Sequence, residues 1–242
     1  MRGTTPPSTL VNLGVATQYW FRGVPQSEEM VAQVDATMTV PLANDDTLTV
    51  TTWGNYQLSS SSGRAAFASG NGGDFSEVDV TATYAAQVDE VTVIGGVISY
   101  NFPNAIGLST HEIFGGVTYG DANEFLAHTA TVSFDIDQVD DFYASYGVAH
   151  TEKLDERFTA NFSGLVGYVG EDQARFYFGD EHQGLSDASL TGVLTYRYDE
   201  FTHVFAKASV ITVPDARLRD AESDRGFKTS TVVFTFGICW GL

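Results

Sequence analysis

The chain is a succession of stretches about ten residues long in which apolar and polar positions alternate, the period of a strand with one covered face. The final stretch shows it most plainly. Across residues 231–242 one face carries Val232, Phe234, Phe236, Ile238, Trp240 and Leu242, and the other Thr231, Val233, Thr235, Gly237, Cys239 and Gly241. An apolar strand face at a chain end invites aggregation unless its edge is paired and its face covered. A closed barrel in lipid does both: acyl chains meet the apolar face and the first strand pairs with the edge.

The same alternation predicts strands over residues 11–23, 29–40, 47–58, 78–84, 92–102, 112–119, 126–136, 141–151, 158–168, 190–198, 203–210 and 231–242. That is an all-β chain of about 12 strands, an even number as expected of a transmembrane, antiparallel, up-and-down barrel. Residues 59–74, 170–186 and 213–226 read as long loops, with 174–178 extended inside the second, and most other connections as tight turns. Short turns at one end and long loops at the other are the pattern of outer-membrane barrels. The expected layout is an N-terminal extension over 1–10 and one barrel domain over 11–242.

Threading every strand through the barrel in turn sorts the side chains. Outward aromatics fall at two levels: Tyr84, Tyr119, Tyr196, Tyr198 and Trp240, with Phe158, near the short-turn rim, and Tyr19, Phe21, Tyr56, Phe102, Phe142 and Tyr168 near the other. Amphipathic rings at both interfaces make membrane girdles. In the strand over 92–102 the outward face is read as Thr92, Ile94, Ile98, Tyr100 and Phe102. The inward parity collects the pore-lining candidates Arg22, Asp35, Trp53, Glu77, Asp79, Glu112, Asp135, Arg197 and Lys207. Acids outnumber bases among them, which favours cations.

Composition narrows the classes. Thirty-one acidic against 12 basic residues give a formal charge of −19, which leaves no basic patch for nucleic acid. Mean hydropathy is close to zero, as expected when outward apolar and inward polar residues cancel. No run of about 18 apolar residues offers a transmembrane helix. The single cysteine excludes a disulfide framework. The first residues lack the apolar core of a signal peptide.

Two stretches resemble a known family. Tyr19-Trp20-Phe21-Arg22-Gly23-Val24-Pro25-Gln26 resembles the aromatic-Arg-Gly-(Ile/Val)-Ser-Gln motif of the TorF family of outer-membrane porins, with Pro25 where that family has Ser. Residues 112–120, Glu-Ile-Phe-Gly-Gly-Val-Thr-Tyr-Gly, are similar to its mid-chain hairpin. The resemblance implies a Gram-negative outer-membrane barrel in transport, with no catalytic residues and no assigned substrate. Thr235, Gly237, Trp240 and Leu242 also occupy the places of the C-terminal segment read by the barrel assembly machinery, with Leu242 where Phe or Trp is usual.

No enzyme is expected. The five histidines are scattered, and neither His-Glu-x-x-His nor Cys-x-x-Cys is present. Gly70-Asn71-Gly72-Gly73-Asp74 resembles one unit of a calcium repeat, but such units work in arrays. Asp135, Asp137, Asp140 and Asp141 read as a solvated acidic turn rather than a Ca²⁺ site. No metal or cofactor is expected. The expected partners are outer-membrane lipid, the assembly machinery and small solutes or cations. The reading is a weakly cation-preferring diffusion pore in the bacterial outer membrane. The alternatives are a non-conducting structural or adhesive barrel that displays its loops, and a soluble ligand-binding β-sandwich. Barrels of about eight strands are filled and those of about 16 hold a channel, so about 12 leaves both open.

Overall fold

The computed structural model describes residues 6–59, 72–105, 107–121, 123 and 125–241. Strand β1 (Ser8–Ala16) is followed by a short hairpin of β2 (Tyr19–Phe21) and β3 (Val24–Ser27). Then come β4 (Val31–Pro41), β5 (Thr47–Gln57), β6 (Phe75–Val88), β7 (Val91–Asn101), β8 (Thr110–Tyr119), β9 (Ala127–Asp135), β10 (Phe142–Lys153) and β11 (Phe158–Val169). Helix α1 (Glu171–Phe178), β12 (Gly184–Arg197), β13 (Thr202–Thr212), helix α2 (Ala216–Asp224) and β14 (Ser230–Gly241) complete the chain.

The strands other than β2 and β3 form one closed antiparallel barrel, each paired with its neighbour in sequence. The seam joins β1 to β14, with Leu13 opposite Ile238, while Leu13 faces Val34 of β4 on its other side. Every barrel strand therefore has both edges paired, which is what a backbone in hydrocarbon requires. A two-sheet sandwich is thereby excluded.

The outer face is apolar. Leu13, Val97, Leu190, Phe162 and Phe236 all stand exposed there, Leu190 at 70%. In water such a belt would be a liability; in lipid it is the stabilising surface. The inner face of the short-turn half is lined with hydroxyls that bond across strands: Thr37 to Thr51 at 3.0 Å, Thr118 to Thr129 at 3.0 Å, Thr131 to Ser145 at 2.7 Å and Thr191 to Ser209 at 2.9 Å. Such pairs satisfy the wall's own polar groups and hold the register.

Four expectations change. The first strand stops at Ala16, because the chain then turns inward as the β2–β3 hairpin instead of running on to residue 23. It begins at Ser8, inside the stretch expected to be an extension. The loops over 170–186 and 213–226 carry helices α1 and α2, and Ala174–Phe178 is helical, not extended. Strand β7 has the opposite face outward: Val93 and Val97 are exposed, and Tyr100 is buried inside opposite Asp79. Val88 pairs directly with Val91, so Asp89-Glu90 is a two-residue turn. Placing Val88 in the turn slips the register by one and flips the whole strand.

Candidate functional site: the barrel mouth and lumen

Folded chain packs against the barrel at its long-loop end. The β2–β3 hairpin turns at Arg22 and Gly23, both at positive φ (48° and 87°), the demand of a two-residue turn between short strands. Gly23 is required for a second reason: a Cβ there would stand 2.2 Å from the Ser186 carbonyl oxygen. Val24, Pro25, Gln26 and Ser27 are buried. Val24 packs into a small core with Tyr143, Val169, Ala174, Tyr177, Phe178, Val213 and Leu218, drawn from β10, β11, both helices and the approach to α2.

Both helices are fixed in place by aspartates. Asp141, in the β9–β10 loop, accepts from the Asp172 and Gln173 amides (2.8 and 3.0 Å), which lie in the first turn of α1. Asp215 caps α2 through the Arg217 and Leu218 amides (2.9 and 3.1 Å). These bonds satisfy amides that a helix start leaves open. Inside α2, burial pushes the Glu222 carboxyl up to about 7 against the pull of Arg225, which bonds it at 2.6 Å.

The hairpin tip is held by charge. Arg22 donates two bonds to Glu112 of β8, at 2.6 and 2.7 Å, and Tyr100 adds a third at 3.1 Å. The side chains of Arg22 and Glu112 are 7% and 1% exposed. The guanidinium lies 4.2 Å from the Tyr143 ring centre and 4.8 Å from that of Phe21. Planar, bidentate and stacked, this is a contact only Arg makes.

The predicted pore-lining residues divide between two zones. Glu77, Glu112 and Asp135 are buried at the mouth around the half-buried Arg22, with Asp79 beside them and Trp53 under Tyr19 at 5.2 Å between ring centres. Asp135 accepts from Thr110 and from the Asp137, Gln138 and Val139 amides at 2.8–3.1 Å, so it organises its own loop. Deeper in, Asp35 accepts from Asn12 at 2.8 Å, Lys207 is half-buried on the inner face of β13, and Arg197 stands exposed at the short-turn rim. Four of the five acids thus gather at the mouth with Arg22, while Asp35 lies deeper with Lys207 and Arg197. Residues outside the predicted pore-lining set complete the mouth: Gln26, Tyr143, Tyr177 and Asp187, which accepts from Tyr143 and Ser186. Among the described residues no three His, Cys, Asp or Glu side chains come together as a metal site.

Of the girdle candidates, Tyr84, Tyr119, Tyr196, Tyr198 and Trp240 lie on or beside the ends of outer-facing strands at the short-turn rim. At the other rim Tyr56 meets Phe75, and Phe142 stacks on Tyr168. Tyr19 and Phe21 do not belong there. They turn inward with the hairpin, Phe21 against Tyr100 and Tyr177. Phe102 likewise lines the mouth interior. In the segment expected to meet the assembly machinery, a Cβ on Gly237 would stand 2.4 Å from Phe205 Cζ, and Leu242 lies outside the described residues.

A family model described as a bacterial protein of unknown function, Gcw_chp, matches residues 2–198. The chain belongs to the Gcw_chp family. No curated protein sequence matches it. Solved structures similar to this Gcw_chp chain include outer-membrane porins and an outer-membrane channel. The NanC porin aligns over 96% of this chain and all of its own, at 13% identity and a TM-score of 0.57. A Pseudomonas putida F1 outer-membrane channel covers 98% and 95% at 9% identity and 0.54. The KdgM porin, solved with an oligogalacturonate, covers 96% and 98% at 6% identity and 0.51. At these identities the likeness establishes the barrel fold, not a solute.

Proposed function

We propose that this Gcw_chp chain is a bacterial outer-membrane channel, weakly cation-preferring, whose extracellular mouth is closed by the β2–β3 hairpin. One observation carries the reading: the barrel presents an apolar belt outside and a polar, partly exposed wall inside, from the short-turn rim up to the hairpin. The long loops then face outward and the short turns the periplasm. Glu77, Asp79, Glu112, Asp135 and Asp187 against Arg22 give the mouth an acidic field, and acidic rings favour cations. A polyanion such as the one held by the KdgM porin would be repelled here. The resemblance of residues 19–26 to the TorF porins supports the same assignment. Thr235, Gly237, Trp240 and Leu242 are proposed as the segment met by the assembly machinery.

Planar-bilayer recording in a KCl gradient tests it. Wild type should show rare conductance steps whose reversal potential favours K⁺, and Arg22→Met should show frequent ones. Anion preference would overturn the selectivity. Silence from both proteins would favour the second reading, a non-conducting barrel displaying loops, which the buried hairpin makes a definite competitor.

A further inference from the structure

The closed mouth contains a pocket that the channel reading does not use. Its walls are the rings of Phe21 from the hairpin, Tyr100 and Phe102 from β7 and its loop, and Phe176 and Tyr177 from α1. Leu108, Thr110 and two buried polar side chains complete it. Glu77, on the inner face of β6, is 3% exposed and meets the Tyr19 hydroxyl. Gln26 is also 3% exposed, and its amide nitrogen has no hydrogen-bond partner. A buried donor without an acceptor costs about 1–3 kcal/mol unless something supplies one.

We infer that this pocket binds the ammonium head of a small organic cation that carries a hydrogen-bond acceptor. Charge and surface agree on this. Arg22 is fully engaged by Glu112, and among the described residues neither Glu77 nor the adjacent Asp79 has a basic partner. One Asp79 oxygen is buried without a partner as well. The site therefore sets the buried Glu77 carboxyl and the half-buried Asp79 carboxyl, neither with a basic partner among the described residues, beside an aromatic enclosure. Ring faces attract cations, and a desolvated ammonium gains most from them. An inorganic cation would have to leave its water for a wall made mostly of ring carbon. An organic ammonium gives up less hydration and meets the rings with its own apolar surface. The unpaired Gln26 amide then donates to a hydroxyl or carbonyl on the ligand. Three separate segments supply the walls, so the ligand would bridge the hairpin, the barrel and α1. The site binds with the mouth closed, so it does not depend on conduction.

Choline is the probe, and its neutral isostere 3,3-dimethylbutan-1-ol the control. The full chain in detergent is titrated by calorimetry, alongside Glu77→Gln and Phe176→Ala. Heat-modifiability on gels establishes that each variant is folded. Wild type should bind choline saturably and the isostere not at all. Each variant should weaken choline at least about tenfold, the scale of one cation–π or charge contact. Phe176→Ala removes a ring from a surface helix, so it keeps the test decisive if Glu77→Gln fails to fold. No saturable choline binding overturns the proposal, as does equal binding of the isostere or unchanged binding in both folded variants. A silent barrel that binds choline would sink the channel reading and leave this one standing.

Discussion

Replacing Arg22 with methionine should open the mouth. Methionine keeps most of the stem that packs over Tyr143 and Phe21 but removes both bonds to Glu112. Glu112 is then left buried at 1% exposure with only the Tyr100 hydroxyl for company. Breaking one side of a buried ion pair costs about 3–5 kcal/mol, because the remaining charge stays desolvated. Burial of Val24 holds the same hairpin with about 1.5–3 kcal/mol, so the loss is comparable to what remains. Swinging the hairpin out lets water reach Glu112, so the penalty falls on the closed state alone. A shift of about 3 kcal/mol moves the closed-to-open ratio about a hundredfold. Single-channel open probability and hydrogen exchange of residues 19–27 should rise together. The double variant Arg22→Met with Glu112→Leu removes both charges, and such swaps are often neutral or stabilising. It should close again. If Arg22→Met leaves open probability and exchange at wild-type values, or if the double variant stays as open as the single one, the latch argument is refuted.

Three further outcomes follow from the same geometry. Glu222 takes up its proton at about 7 when α2 is docked and at 4.5 when free, so the docked state holds the proton more tightly. Docking is therefore strongest below about pH 4.5 and weakens by up to about 3 kcal/mol as pH rises to about 7; exchange of residues 216–224 should rise over that window and become flat in Glu222→Gln. Asp141→Ala removes the acceptor for two amides of α1 and should cost about 1 kcal/mol, seen as faster exchange in residues 171–178; no change would mean another group caps that helix. Gly237→Ala should destabilise the barrel by about 1–3 kcal/mol even when refolded in detergent with no assembly factor present, since the new Cβ meets Phe205 and lies 2.6 Å from the Leu13 carbonyl oxygen. An unaffected refolded barrel would assign that glycine to recognition instead.

The barrel was legible in the sequence because one face of most strands is apolar from end to end, and alternation then fixes strand, parity and rough length together. The inward positions of Asp35, Glu77, Asp79, Glu112 and Lys207 follow from that alone. Where both faces of a strand are apolar the logic fails. Ile94 and Ile98 rival Val93 and Val97 in β7, and only pairing with β6 and β8 decides between them. The hairpin was hidden for a related reason. Residues 11–23 alternate without a break, and Arg22-Gly23 is not the Asn-Gly or Asp-Gly that marks such a turn. The arginine tolerates its positive φ because Glu112, far away in sequence, holds its side chain. Helix α1 is too short for periodicity to reveal, and its cap, Asp141, lies in another loop. For α2 the signal was present: Asp215 before Ala-Arg-Leu reads as a helix start, and the acidic composition masked it.

The foot of the hairpin has a mechanical consequence. Strand β1 meets β14 only over Leu10–Ala16, whereas β10 meets β11 along Tyr143–Lys153. Beyond that short zipper, Thr17 exchanges bonds with Phe234, Gln18 accepts from Thr231, and Tyr19 and Trp20 pack on Ala16, Val31 and Val233. The segment that stoppers the mouth is therefore also the rivet of the barrel's one long-range joint. A pull that draws the hairpin outward loads the place where the cylinder would first unzip, so the gate and the weld share a single fastener.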